Sequence, residues 1–270
     1  MTQPASGAQH THVSATYKLR TGNSDGSNIY NNLSNSEDSM VIILDLTPSA
    51  WAYGVSPIKH NENNRLYLQD MYNIIIGFLK SYAYMSINNR CCIIGTHNCG
   101  CSYFSKILYE GVLFSDWLPS CYDGEDVQDS LVETVTKRIW NEIVNFIEFG
   151  LDNPYKDAQL TSAISMGLLY LNRIEHCNIG TGKKIIIIDV SNAENYKSQY
   201  IGLMNIAFSA SNLRITLNVC SLGNPSGILE QLGAITNAKY LLLSNVFQSE
   251  TEVVNLGQAI FQLLTVTNYF

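Results

Sequence analysis

Met40-Val41-Ile42-Ile43-Leu44-Asp45-Leu46-Thr47-Pro48-Ser49-Ala50-Trp51 decides the fold of this chain. Its first half is a short, continuous aliphatic run ending in a carboxylate, the pattern of a strand buried on both faces. Its second half turns abruptly polar at Thr47-Pro48-Ser49, where the chain must leave the sheet. Two similar runs follow, Cys91-Cys92-Ile93-Ile94-Gly95 and Ile185-Ile186-Ile187-Ile188-Asp189, with shorter ones at Arg214–Cys220 and Lys239–Leu243.

Between these runs the apolar residues change period. Leu68, Met71, Ile75, Phe78 or Leu79, and Tyr82 recur at steps of three and four, as do Val127, Leu131, Val135, Ile139, Ile143 and Ile147. That spacing lines one face of a helix. Further helices are expected over Leu160 to Ile174, Gln199 to Ala210, Pro225 to Ile235 with Pro225 in the first turn, and Thr251 to Leu264. Strands alternating with helices of ten residues or more form parallel β-α-β units. The expected fold is therefore α/β: a doubly wound, mostly parallel six-stranded sheet with helices on both faces. A run at Ser102–Ile107, with no helix-length crossover before it, is expected as an antiparallel edge strand.

Residues 1–39 are rich in Ser, Asn, Thr and Gly, and their isolated apolar residues follow no period. Such a segment buries too little apolar surface to offset its ordering entropy, so it reads as a mobile N-terminal extension before a single domain over 40–270. A chain of 270 residues buries roughly 70% of its unfolded surface, which suffices for a core without disulfides. The seven cysteines, at 91, 92, 99, 101, 121, 177 and 220, are odd in number and scattered, which fits a reducing compartment. No apolar run reaches the ~20 residues of a membrane span. Charged residues are 14% and the formal net charge is −7, so the surface offers phosphate backbones little attraction and no direct nucleic-acid binding is expected.

In doubly wound sheets ligands sit outside the carboxyl ends of the strands, and two strands here end in carboxylates, Asp45 and Asp189. Asp45, Thr47 and Ser49 place a carboxylate and two hydroxyls at alternate positions of a loop leaving a strand. That spacing can turn three oxygens to one point, and hard cations such as Mg²⁺ take oxygen ligands. It equally suits loop residues that accept backbone N–H bonds and cap the succeeding turn.

Other motifs carry less. Gly180-Thr181-Gly182-Lys183-Lys184 leads into a strand rather than out of one, so it reads as a turn and not a phosphate loop. No G-x-G-x-x-G follows a strand, and Gly223-Asn224-Pro225-Ser226-Gly227 has its Ser one place late for a nucleophile elbow. His97, Cys99 and Cys101, with Cys91 and Cys92 before them, lack the second paired knuckle of a structural zinc site. The acidic stretch from Glu110 to Glu133 suits either a helix N-terminus, with Ser130 and Glu133 as a capping box, or a basic partner.

Several segments together resemble one family: Asp45-Leu46-Thr47-Pro48-Ser49-Ala50-Trp51, Met71-Tyr72, Cys91–Thr96 followed by His97, Tyr200–Ala210, and Ser226-Gly227-Ile228-Leu229-Glu230-Gln231 leading to Ile235–Leu241. The chain is similar over about residues 40–267 to the smaller von Willebrand factor A (vWA) subunit of general transcription and DNA-repair factor IIH (TFIIH), the subunit 3 family. That resemblance implies a Rossmann-like vWA fold and a non-catalytic, nuclear scaffold of the TFIIH core in transcription initiation and nucleotide excision repair. It implies binding to the larger vWA subunit, through that subunit's RING-like domain, and to other core subunits. It also implies a candidate divalent-ion site, for Mg²⁺, of Asp45, Thr47, Ser49, Thr161 or Ser162, and Asp189. Zinc is expected only in the family's C-terminal module, for which this sequence, ending at Asn268-Tyr269-Phe270, has no counterpart. The competing reading from a different class is a metal-dependent hydrolase or phosphatase using Asp45 and Asp189, with a histidine among His60, His97 and His176 as its base.

Overall fold

The structure is a computed structural model, and it describes residues 38–52, 55, 65–85, 89–104, 125–151, 158–175, 182–190 and 196–242. Six strands form one sheet: β1 (Asp38–Asp45), β2 (Arg90–His97), β3 (Gly100–Phe104), β4 (Gly182–Asp189), β5 (Thr216–Ser221) and β6 (Tyr240–Leu242). Their order is β3-β2-β1-β4-β5-β6, with β3 antiparallel to β2 and every other pair parallel. This is the expected doubly wound sheet with one antiparallel edge strand.

The helices are α1 (Pro48–Trp51), α2 (Leu68–Met85), α3 (Glu125–Gly150), α4 (Leu160–Glu175), α5 (Tyr200–Asn212) and α6 (Gly227–Ile235). Successive strand residues point to opposite faces, so the aliphatic runs feed two cores. Met40, Ile42 and Leu44 pack with Ile93, Ile186 and Ile188 under α2 and α3. Val41 and Ile43 pack with Ile94, Ile185 and Ile187 under α4, α5 and α6. The continuous hydrophobicity of β1 is thus required by two covered faces. Each buried Ile or Leu side chain contributes roughly 1.5–3 kcal/mol.

Glycine permits two close approaches. A Cβ at Gly95 would collide with the Phe104 ring, so β2 and β3 need its bare backbone. A Cβ at Gly202 would stand 2.9 Å from Thr161 Cγ2, so α5 packs directly on the start of α4.

Among the boundaries that differ from the sequence expectation, four have a clear local cause. Strand β1 begins at Asp38, two residues before the expected aliphatic run, where the backbone N–H donates to Asn89 Oδ1 at 3.2 Å. Strand β3 starts at Gly100, because a two-residue turn at Asn98-Cys99 pairs Gly100 with His97. Helix α6 starts at Gly227 rather than Pro225, because Ser226 caps it, its Oγ accepting the Leu229 N–H at 3.4 Å. Helix α3 starts at Glu125, which puts Ser130 and Glu133 inside the helix and removes them as a capping box. Residues 1–37, 105–107, most of the acidic stretch and the helix expected at Thr251 to Leu264 lie outside the described residues.

Candidate functional site

The carboxyl ends of β1 and β4, neighbours in the sheet, bring Asp45 and Asp189 to one edge. Both are buried, as is Thr47. Asp45 Oδ1 accepts the Thr47 backbone N–H at 3.0 Å and the Thr47 hydroxyl at 2.6 Å. Its Oδ2 lies 3.5 Å from the Val190 N–H. The Trp51 indole N–H donates to the Asp45 carbonyl at 2.8 Å, which folds α1 back over the strand end. An Asp followed two residues on by Thr forms such a turn from its own side chains.

Asp189 is held by two other hydroxyls. The Tyr196 phenol donates to Oδ1 at 2.7 Å, and Ser221 Oγ lies 3.3 Å from Oδ2 and 3.1 Å from the Asn224 carbonyl. Tyr196 and Ser221 are themselves wholly buried. The charge of Asp189 is felt by Cys220, whose thiol is pushed up to about 12, by burial first and by this carboxylate second.

The remaining sequence candidates are placed elsewhere. Ser49 is exposed on α1 and Ser162 is exposed on α4. Thr161 turns its backbone N–H and its hydroxyl to Gln199 Oε1, at 3.1 and 2.9 Å, while Gln199 Nε2 donates to the Ala158 carbonyl at 2.7 Å. The structure therefore gathers Asp45, Thr47 and Asp189 and adds Tyr196 and Ser221, which sequence reasoning missed. Tyr196 follows β4 in a polar stretch without period or spacing, so no sequence signal pointed to it.

Mg²⁺ demands near-octahedral oxygen ligands at about 2.0–2.1 Å. Here both oxygens of Asp189 face buried hydroxyls, and two of the expected ligands, Ser49 and Ser162, are exposed on α1 and α4. As they stand, these residues do not fit the cation.

His97 is the histidine beside this edge, one residue past the partner of Asp45 in β2. Its Nδ1 accepts the Cys99 backbone N–H at 2.9 Å, and its ring packs 4.0 Å from Phe146. Nε2 makes no well-formed hydrogen bond; the Asn98 side chain and the Phe146 carbonyl are its polar neighbours. Burial pushes its pKa down, and those neighbours and Asp45 offset part of the shift. The ring has no exposed surface. His60 and His176 lie outside the described residues. Among the described residues no three His, Cys, Asp or Glu side chains gather as metal ligands.

A different surface is open. Between α5 and α6 runs a groove of about 520 Å³, lined by Tyr200, Ile201, Met204, Phe208, Ala234 and Ile235 with the amides of Asn205 and Gln231. Among the described residues no charged side chain lines it. Ile201 is 75% exposed and Phe208 58%, large values for apolar side chains of their size.

Comparison with known proteins decides the family. The model of the family described as transcription factor Tfb4 matches residues 37–267. The chain belongs to the Tfb4 family. Among Tfb4 relatives, the general transcription and DNA repair factor IIH subunit TFB4 of Eremothecium gossypii is 25% identical over 226 residues, covering 76% of this chain and 63% of that protein. The subunit tfb4 of Schizosaccharomyces pombe is 24% identical over 213 residues, covering 76% and 64%. The chain thus spans a little under two thirds of the length of these relatives. A solved structure of the TFIIH p34 N-terminal domain superposes with a TM-score of 0.57 at 20% identity, covering 83% of this chain and 96% of that one, and supports the same fold.

Proposed function

We propose that this chain is a non-catalytic scaffold subunit of the TFIIH core, acting in RNA polymerase II transcription and nucleotide excision repair in the nucleus. The observation that carries this reading is the Tfb4 match over residues 37–267, whose relatives bear the name of a TFIIH subunit. The proposed partner is the larger vWA subunit, engaged through its RING-like domain, with the other core subunits assembled around the pair. The proposed docking face is the α5–α6 groove, because its uncharged, aliphatic and aromatic lining has the composition of an interface core.

The site chemistry supports the non-catalytic part. A hydrolase built on Asp45 and Asp189 needs a base or nucleophile that reaches substrate, whereas His97 is enclosed and both carboxylates already accept internal hydrogen bonds. A net charge of −7 gives little purchase on DNA, in keeping with a role through protein contacts. The test is affinity purification of the tagged chain from nuclear extract, with its partners identified by mass spectrometry. TFIIH core subunits are the expected result; their absence would refute the assignment.

A further inference from the structure

We infer that the carboxylate edge of this vWA-like sheet is compensated by its own hydroxyls, those of Thr47, Tyr196 and Ser221, rather than by a divalent cation. Two buried carboxylates at one sheet edge need compensation, since an uncompensated buried charge is strongly unfavourable. A cation is one solution; charge-assisted hydrogen bonds, which are shorter and stronger than neutral ones, are another. This chain uses the second. Thr47 Oγ1 sits 2.6 Å from Asp45 Oδ1 and the Tyr196 hydroxyl 2.7 Å from Asp189 Oδ1, both at charge-assisted lengths, and Ser221 Oγ stands 3.3 Å from Asp189 Oδ2.

The arrangement is anchored from a second side. Three residues after Tyr196, Gln199 accepts from the backbone and hydroxyl of Thr161 and donates to the Ala158 carbonyl. The turn carrying Tyr196 is thereby fixed to the start of α4. For Mg²⁺ to take Asp189 Oδ1, the buried Tyr196 phenol must give up its hydrogen bond there, which costs free energy. The knot also fixes the first turn of α5, which begins at Tyr200. This inference does not depend on the partner assignment.

The experiment is a titration of the purified full chain with Mn²⁺, followed by electron paramagnetic resonance, alongside thermal melts in excess Mg²⁺ and in EDTA. The expected result is no saturable Mn²⁺ binding up to millimolar concentration and the same Tm in both buffers. Tyr196→Phe should lower Tm by several degrees, and Mg²⁺ should not restore it. Stoichiometric Mn²⁺ binding by the wild type, competed by Mg²⁺ and lost in Asp45→Asn, would overturn the inference, as would an unchanged Tm in Tyr196→Phe. If Tyr196→Phe fails to fold, the wild-type titration still decides, and Thr161→Val, which removes the hydroxyl held by Gln199, supplies the second melt.

Discussion

The Tyr196 hydroxyl donates a 2.7 Å hydrogen bond to Asp189 Oδ1, and neither side chain has any exposed surface. The pair links the exit of β4 to the turn before α5, so the position of a surface helix is set by a buried carboxylate. Hydrogen bonds to charged groups contribute roughly 1.5–3 kcal/mol.

A double-mutant cycle over Tyr196→Phe and Asp189→Ala measures that link. Each single variant should lose about 1.5–3 kcal/mol in chemical denaturation. The double variant should lose less than the sum, with a coupling of about 0.5–3 kcal/mol as expected of residues in contact. Additive losses would mean that the hydrogen bond is not formed in solution.

Gly95→Ala should destabilise the fold by about 1–3 kcal/mol, the range for overpacking a filled core. The added methyl meets the Phe104 ring and stands 2.9 Å from Leu46 Cδ1. Gly95→Ala combined with Phe104→Leu should recover part of the loss, as read by the denaturation midpoint.

His97 gives the stability a pH dependence of known sign. Its folded pKa is lowered by burial below the ordinary value of 6.5, so between the two values the unfolded chain binds the proton that the folded chain refuses. Its contribution is fully present above about pH 6.5 and is lost as pH falls through the lowered value. Unfolding free energies of His97→Gln should therefore fall less steeply than those of the wild type as pH drops below about 6.5. Parallel curves would show that His97 titrates normally in the folded protein.

The thiols provide a map of burial. Cys92 and Cys220 are pushed up to about 12 by burial, Cys91 is raised as well, and Cys99 is exposed. Under native conditions iodoacetamide should modify Cys99 well before Cys91, Cys92 or Cys220, which should react only on unfolding. Peptide mass spectrometry over a time course reads the order directly.

Much of the fold was legible because burial on two faces leaves an unmistakable mark. The run Val41-Ile42-Ile43-Leu44 has no polar residue to spare, and the i, i+4 spacing of Met71, Ile75 and Leu79 names the buried side of α2. The element starts were less legible, because they depend on single hydrogen bonds. Ser226 rather than Pro225 sets the start of α6, and the Cys99 N–H to His97 Nδ1 bond helps set the turn before β3. In the candidate site, Asp45 and Asp189 were visible as strand ends, and Thr47 by its spacing. Tyr196 was not, since its role arises only when the chain returns to Asp189 seven residues later. Nor was the use of Thr161, whose partner Gln199 lies 38 residues away in sequence.

The α5–α6 groove gives the scaffold reading its most direct test. A standard interface buries about 800 Å² per partner, with its energy concentrated in a few central apolar or aromatic side chains. The measurement is a calorimetric titration, at physiological salt, of the full chain with the RING-like domain of the larger vWA subunit, repeated with Ile201→Asp and Phe208→Asp. Both positions are exposed, so the variants should keep the wild-type Tm. The expected result is saturable one-to-one binding by the wild type and at least a tenfold loss of affinity in each variant. Absence of binding by the wild type, together with salt-sensitive binding to duplex DNA, would contradict it.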